Sequence, residues 1–173
     1  AGNLSINGAL ASGGSVTFDQ PRNVIITSAG DDSGDTFTVT GTDETGSAQT
    51  EAITGADTGV ATGTKFFATV TQIAASGASA GNVKAGSGTS IAAPIFRGSM
   101  RLRGLYVVNT SSAGTMTFRE GSGTGTIRMQ YNTVSSANTN SYPDIPDSGL
   151  RFNNGGYITY TQTHMSSLTA FFS

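Results

Sequence analysis

The sequence predicts an all-β protein made of two antiparallel β-sandwich domains, immunoglobulin-like or jelly-roll-like. Three observations carry this. Apolar residues recur at every second position and almost never at the spacing of a helix face. Clusters of Gly, Ser, Thr, Asn and Asp separate the alternating runs at the close intervals of β-turns. Charged residues make up 12% of the chain and the net charge is only -2, so the highly charged composition of a disordered chain is absent.

The elements follow in order. Leu4-Ser5-Ile6 and Ser15-Val16-Thr17-Phe18 are short alternating pieces, and a strand is expected over residues 22–27, after Pro21. Asp31-Asp32-Ser33-Gly34 reads as a turn. Residues 36–42 alternate with Phe37 and Val39 on one face, and Asp43-Glu44-Thr45-Gly46 turns the chain into a hairpin partner at 49–54. A polar stretch covers 55–63. The next run, 64–74, points Phe66, Ala68 and Val70 inward, with a bulge shifting the register to Ile73. A short closing strand is expected at 82–84.

Residues 85–93, Ala-Gly-Ser-Gly-Thr-Ser-Ile-Ala-Ala, have the composition of a flexible linker. They divide the chain into domains 1–88 and 89–173. Charge changes sign in the same region: residues 1–90 hold eight acids and three bases, and residues 91–173 hold three acids and six bases, all arginine. In the second half, strands are expected at 100–109 with a possible break at Gly104, then at 115–120, 126–131, 149–152, 157–160 and 168–172. A polar loop with Pro143 and Pro146 spans 132–147, and the apolar close is expected to dock in a sheet.

Several chemistries are excluded at this level. There is no cysteine, so disulfides and thiolate sites are absent. One histidine, His164, rules out a histidine-cluster metal site. No apolar run nears the roughly 20 residues that span a bilayer as a helix, and the opening residues carry no signal-peptide pattern. The small residue at position 1 fits removal of an initiator methionine, so synthesis in the host cytoplasm is the expectation.

Four local patterns carry the residue types of a site. Asp31-Asp32-Ser33-Gly34-Asp35 places oxygens like part of a calcium loop but lacks the downstream glutamate, so an acidic turn is expected. Gly121-Ser122-Gly123-Thr124-Gly125 lacks the lysine and helix of a phosphate loop and reads as a hairpin turn. His164 reads as an exposed loop residue, without a nucleophile elbow to serve. Asp144 and Asp147 read as loop carboxylates, not a glycosidase pair; the chain has no Trp platform. No cofactor and no catalytic residue is expected.

The most coherent set is Arg101, Arg103, Arg119 and Arg128. Alternation puts Arg101 and Arg103 on one strand face, and Arg119 and Arg128 flank the Gly-rich turn on paired strands. A pI near 5 argues against nucleic acid as the partner. An acidic protein surface fits better, since arginine suits interfaces.

The run Pro21-Arg22-Asn23-Val24-Ile25-Ile26-Thr27-Ser28-Ala29-Gly30, followed by residues 36–43, 49–55 and 67–73, resembles a module of tailed-bacteriophage structural proteins. The second half, from Leu105-Tyr106-Val107-Val108-Asn109 through residues 114–120 to Phe171, is similar to small β-sandwich proteins of phage heads and tails. The resemblance implies a virion protein without enzymatic activity. A capsid decoration or cement protein is expected, gripping the major capsid protein through the arginine-bearing domain. A tail, connector or fibre-base component and a host-glycan-binding module are the alternatives; a depolymerase is the enzymatic rival. Domains of about 85 residues are marginal alone, so a homo-oligomer is expected, a trimer by preference, with neither nucleic acid nor membrane as partner.

Overall fold

The computed structural model describes residues 2–136, 139–146 and 148–173. These residues contain strands and no helix, and every strand pair with a defined register is antiparallel. The chain divides into two compact units, Ala1–Gly88 and Thr89–Ser173.

The first unit contains β1 (Gly2–Asn3), β2 (Ala11–Ser12), β3 (Ser15–Asp31), β4 (Thr36–Thr42), β5 (Ala48–Thr54), β6 (Asp57–Thr62), β7 (Phe67–Ala75) and the start of β8 (Val83–Phe96). β4 lies between β5 and β7, and β7 is bordered beyond by β1 and β3. β3 is one strand of 17 residues, not the short piece expected after Pro21. It pairs β7 through Val16, Thr17 and Arg22, then turns to β6 from Ile25 to Asp31. Pro21, which has no N–H to give, falls inside the interruption between Thr17 and Arg22. The polar stretch 55–63 supplies β6.

Alternation in β4 buries Phe37 and Val39 as expected. In β7 the buried residues are Phe67, Val70 and Ile73, with Ala68 only half-buried. The register change is at Thr71: Thr40 faces Gln72 and Gly41 faces Val70, leaving Thr71 as the extra residue. Gly41 is required there, because a Cβ would lie 1.9 Å from the Thr69 carbonyl oxygen. Val24, Ile26, Phe37, Val39, Ile53, Phe67, Val70 and Ile73 form one core.

The β4–β5 turn is held by Asp43. Its Oδ1 accepts from the Thr45 N–H and hydroxyl, both at 2.7 Å, and from the Ser47 N–H at 3.0 Å. Burial raises the Asp43 pKa, but these hydrogen bonds outweigh it and hold the carboxyl below its ordinary value. The stabilisation is therefore present above the unfolded-state pKa and is lost as pH falls through the lower folded value. Asp43→Ala should cost about 1 kcal/mol at neutral pH, and the difference from wild type in urea unfolding should vanish at strongly acidic pH.

The second unit contains the rest of β8, then β9 (Met100–Asn109), β10 (Gly114–Glu120), β11 (Thr126–Thr133), β12 (Asn140–Ser141), β13 (Leu150–Phe152), β14 (Gly156–Thr161) and β15 (Met165–Phe172). Residues 85–93 are thus not a flexible linker: they lie within the unbroken strand β8, whose small residues are compatible with extended backbone. The later part of β8 pairs β14, β14 pairs β10, and β10 pairs β11. A separate sheet is centred on β9, with β15 on one side and β12 and β13 on the other. Gly104 does not break β9; it pairs with Phe171 of β15 within the strand.

Both sheets of this unit feed one core. Met100, Leu102, Leu105 and Val107 of β9 and Phe152 of β13 cluster with Met116 and Phe118 of β10 and Ile158 of β14. Ile145, from the loop expected at 132–147, joins them. Asn109 pins that loop through hydrogen bonds from its Nδ2 to the Thr139 carbonyl and the Ser141 hydroxyl.

Candidate functional site: an arginine face on the second unit

On β9 the apolar Met100 and Leu102 turn inward, so Arg101 and Arg103 share the outer face. β13 is in register with Leu150 opposite Leu102 and Phe152 opposite Met100, which sets Arg151 directly across from Arg101. Like charges facing each other across a strand pair are destabilising. Arg101 relieves this in part by donating from Nη1 to the Ser148 carbonyl at 2.9 Å. Arg103 donates from Nε to the Ser173 hydroxyl at 3.1 Å. No carboxylate among the described residues forms an ion pair with Arg101 or Arg151.

Arg128 reaches the same neighbourhood from β11. Its Nη2 donates to the Arg151 carbonyl at 3.2 Å, and its Nε lies 3.6 Å from Glu120 Oε2. Arg119 does not join them. Phe118 points into the core, so Arg119 points out from the other sheet. There its Nη1 donates to the Gly125 carbonyl at 2.9 Å and its Nε to the Thr159 hydroxyl at 3.3 Å. The four arginines read from sequence therefore separate. Arg101 and Arg103 share the outer face of β9 with Arg151 opposite Arg101, Arg128 touches only the Arg151 backbone carbonyl while pairing with Glu120, and Arg119 braces the turn at 121–125. Strand alternation was enough to group Arg101 with Arg103. Arg151 was missed because the register of β13 on β9 is not written in either strand.

The remaining candidates resolve as local structure. Asp31 Oδ1 accepts from the Ser33 hydroxyl at 2.7 Å and the Ser33 N–H at 3.1 Å, which hold its carboxyl below the ordinary pKa. Asp32 turns inward, 1% exposed, and accepts from the Ala80 N–H at 2.7 Å. Asp35 Oδ1 accepts from the Ser76 hydroxyl. The three acids thus diverge, and no group of three metal-ligating side chains occurs among the described residues. The run 121–125 is the β10–β11 turn, with Gly121 at φ +85°. Asp144 is exposed; Asp147 lies outside the described residues.

His164 is not the exposed loop residue expected. It is half-buried, its ring occupies the space that a Cβ on Gly114 would need, and its Nδ1 is buried without a hydrogen-bond partner. In the first unit, a largely apolar cavity of about 540 Å³ is lined by Leu4, Ile6, Phe18, Val24 and Ile73, with Lys84 as its only titratable side chain.

No known protein family, curated protein or solved structure matches the chain.

Proposed function

We propose that this chain is a structural protein of a tailed-phage particle that decorates or cements the capsid, a binding protein and not an enzyme. The observation that carries the reading is the Arg101–Arg151 cross-strand pair, on the face of β9 that also carries Arg103. A folded protein gains nothing internally from opposing like charges. An acidic surface on another protein would neutralise them and gain bidentate, charge-assisted hydrogen bonds. The sequence resemblance to phage head and tail proteins supplies the kind of partner, the major capsid protein. Many copies on a shell would stabilise it by binding the assembled form.

The direct test is labelling this protein on intact particles and viewing them by electron microscopy. Label spread over the head supports decoration. Label confined to a single ring or to the tail would favour the connector or tail alternative. A second expectation separates the arginines. Arg119→Ala should lower stability by about 1–2 kcal/mol in chemical unfolding, because two hydrogen bonds go, one to the turn at Gly125 and one to Thr159 of β14. It should leave particle binding of the folded protein unchanged.

A further inference from the structure

Edge strands expose unpaired N–H and C=O groups, and proteins usually blunt them with charges, prolines or brevity. The edges of this chain mostly follow that rule. β1, β2 and β12 are two residues long, and β13 has three residues including Arg151. β5 carries the inward Glu51, β6 begins at Asp57 and β11 carries Arg128. β15 does not follow it. Its eight residues, Met165-Ser166-Ser167-Leu168-Thr169-Ala170-Phe171-Phe172, contain no charge, no proline and no glycine. It pairs β9 on one side, and no strand of the described residues pairs its other side. Register shifts fall at its two ends, so Ser167–Phe171 is paired with β9 without interruption.

The surroundings of β15 are apolar as well. Phe171 is 56% and Phe172 44% exposed, and Phe172 stacks at 5.4 Å on Phe96, itself 45% exposed. Beside β15 the two sheets of the second unit leave a groove of about 530 Å³, lined by Ile95, Ile158, Tyr160, Leu168 and Ala170 among others. A strand added to β15 would extend the sheet and lay its own alternate side chains over that groove.

We infer that β15 is the edge through which two copies of this chain join, antiparallel, about a two-fold axis near Thr169. The occupant follows from charge. Pairing β15 with β5 or β11 would put Glu51 or Arg128 at the seam, and β6 offers no regular edge, since it begins at Asp57 and its next residue, Thr58, has φ +53°. Pairing with its own copy puts none there, and an isologous contact is self-complementary by symmetry. Ser167 to Phe171 of one copy then face Phe171 to Ser167 of the other, with Phe171 and Phe172 closing over the ends. This revises the expected trimer to a dimer, and it stands independently of the particle reading.

The test is a charge swap at Thr169, an exposed residue whose replacement leaves the core intact. Sedimentation velocity of the full chain should show a dimer. Thr169→Lys and Thr169→Glu should each sediment as monomers with unchanged circular dichroism, because like charges would meet across the axis. Mixing the two variants should restore the dimer through opposite charges. A wild-type monomer or trimer, a dimer that survives either single substitution, or a mixture that stays monomeric would each overturn the inference.

Discussion

Phe118→Ala should unfold the second unit or bring it close to unfolding. The ring is fully buried where the two sheets of that unit meet, in contact with a cluster drawn from β9, β10, β13 and β14. Replacing such a ring with a methyl group loses transfer free energy and leaves a cavity, together about 3–5 kcal/mol. A unit of 85 residues holds a total stability of about 4–13 kcal/mol at ordinary per-residue values. The substitution thus removes a large share of what there is. The effect should be read by hydrogen exchange resolved along the chain: amides of β9, β10 and β14 should lose protection. Protection of those strands at wild-type levels would show that the core drawn here does not hold the unit together.

Glu51→Ala should be the most costly polar substitution in the first unit. β5 turns Glu51 inward beside Ile53, and only 9% of the residue is exposed. Its Oε1 accepts from the Thr64 N–H, the Thr64 hydroxyl at 2.9 Å and the Lys65 N–H at 3.1 Å, so one carboxylate oxygen organises the approach to β7. Removing it strands two backbone donors in partly buried surroundings. The expected loss is about 3 kcal/mol, since bonds to a charged acceptor are worth more than neutral ones and unmet donors carry their own penalty. Glu51→Gln keeps an acceptor oxygen and should lose about half as much. Equal stability of wild type and Glu51→Ala in urea unfolding would contradict this role. The geometry leaves little slack: a Cβ on Gly63 would lie 2.6 Å from Glu51 Oε2.

The alternation of Phe37 with Val39, the hairpin turn at Asp43 and the bulge before Ile73 were all legible in the sequence because each is a local property of consecutive residues. What was not legible depended on partners far along the chain. Glu51 looks like a surface residue until β5 is placed as an edge whose inner face needs an acceptor for Thr64 and Lys65. The small residues of 85–93 have a linker's composition, and only pairing with distant strands, β3 and β14, makes them strand. Arg119 and Arg128 are close in sequence to one turn, yet the core position of Phe118 and the bulge between Phe118 and Arg119 send their side chains to different surroundings. Arg151 belongs to the arginine face solely because β13 meets β9 in one register.

That register also separates stability from binding. Arg151→Glu should turn a repulsive cross-strand pair with Arg101 into an attractive one and raise stability by about 0.2–1 kcal/mol. The same change should weaken attachment to an acidic partner. The proposed decoration role is tested by offering wild type or Arg151→Glu to phage particles that lack the protein. The variant should melt no lower than wild type and yet decorate the particles poorly, with Arg101→Glu and Arg103→Glu weakening attachment in the same way. Full occupancy by the reversed variants would show that the arginine face is not where this protein binds.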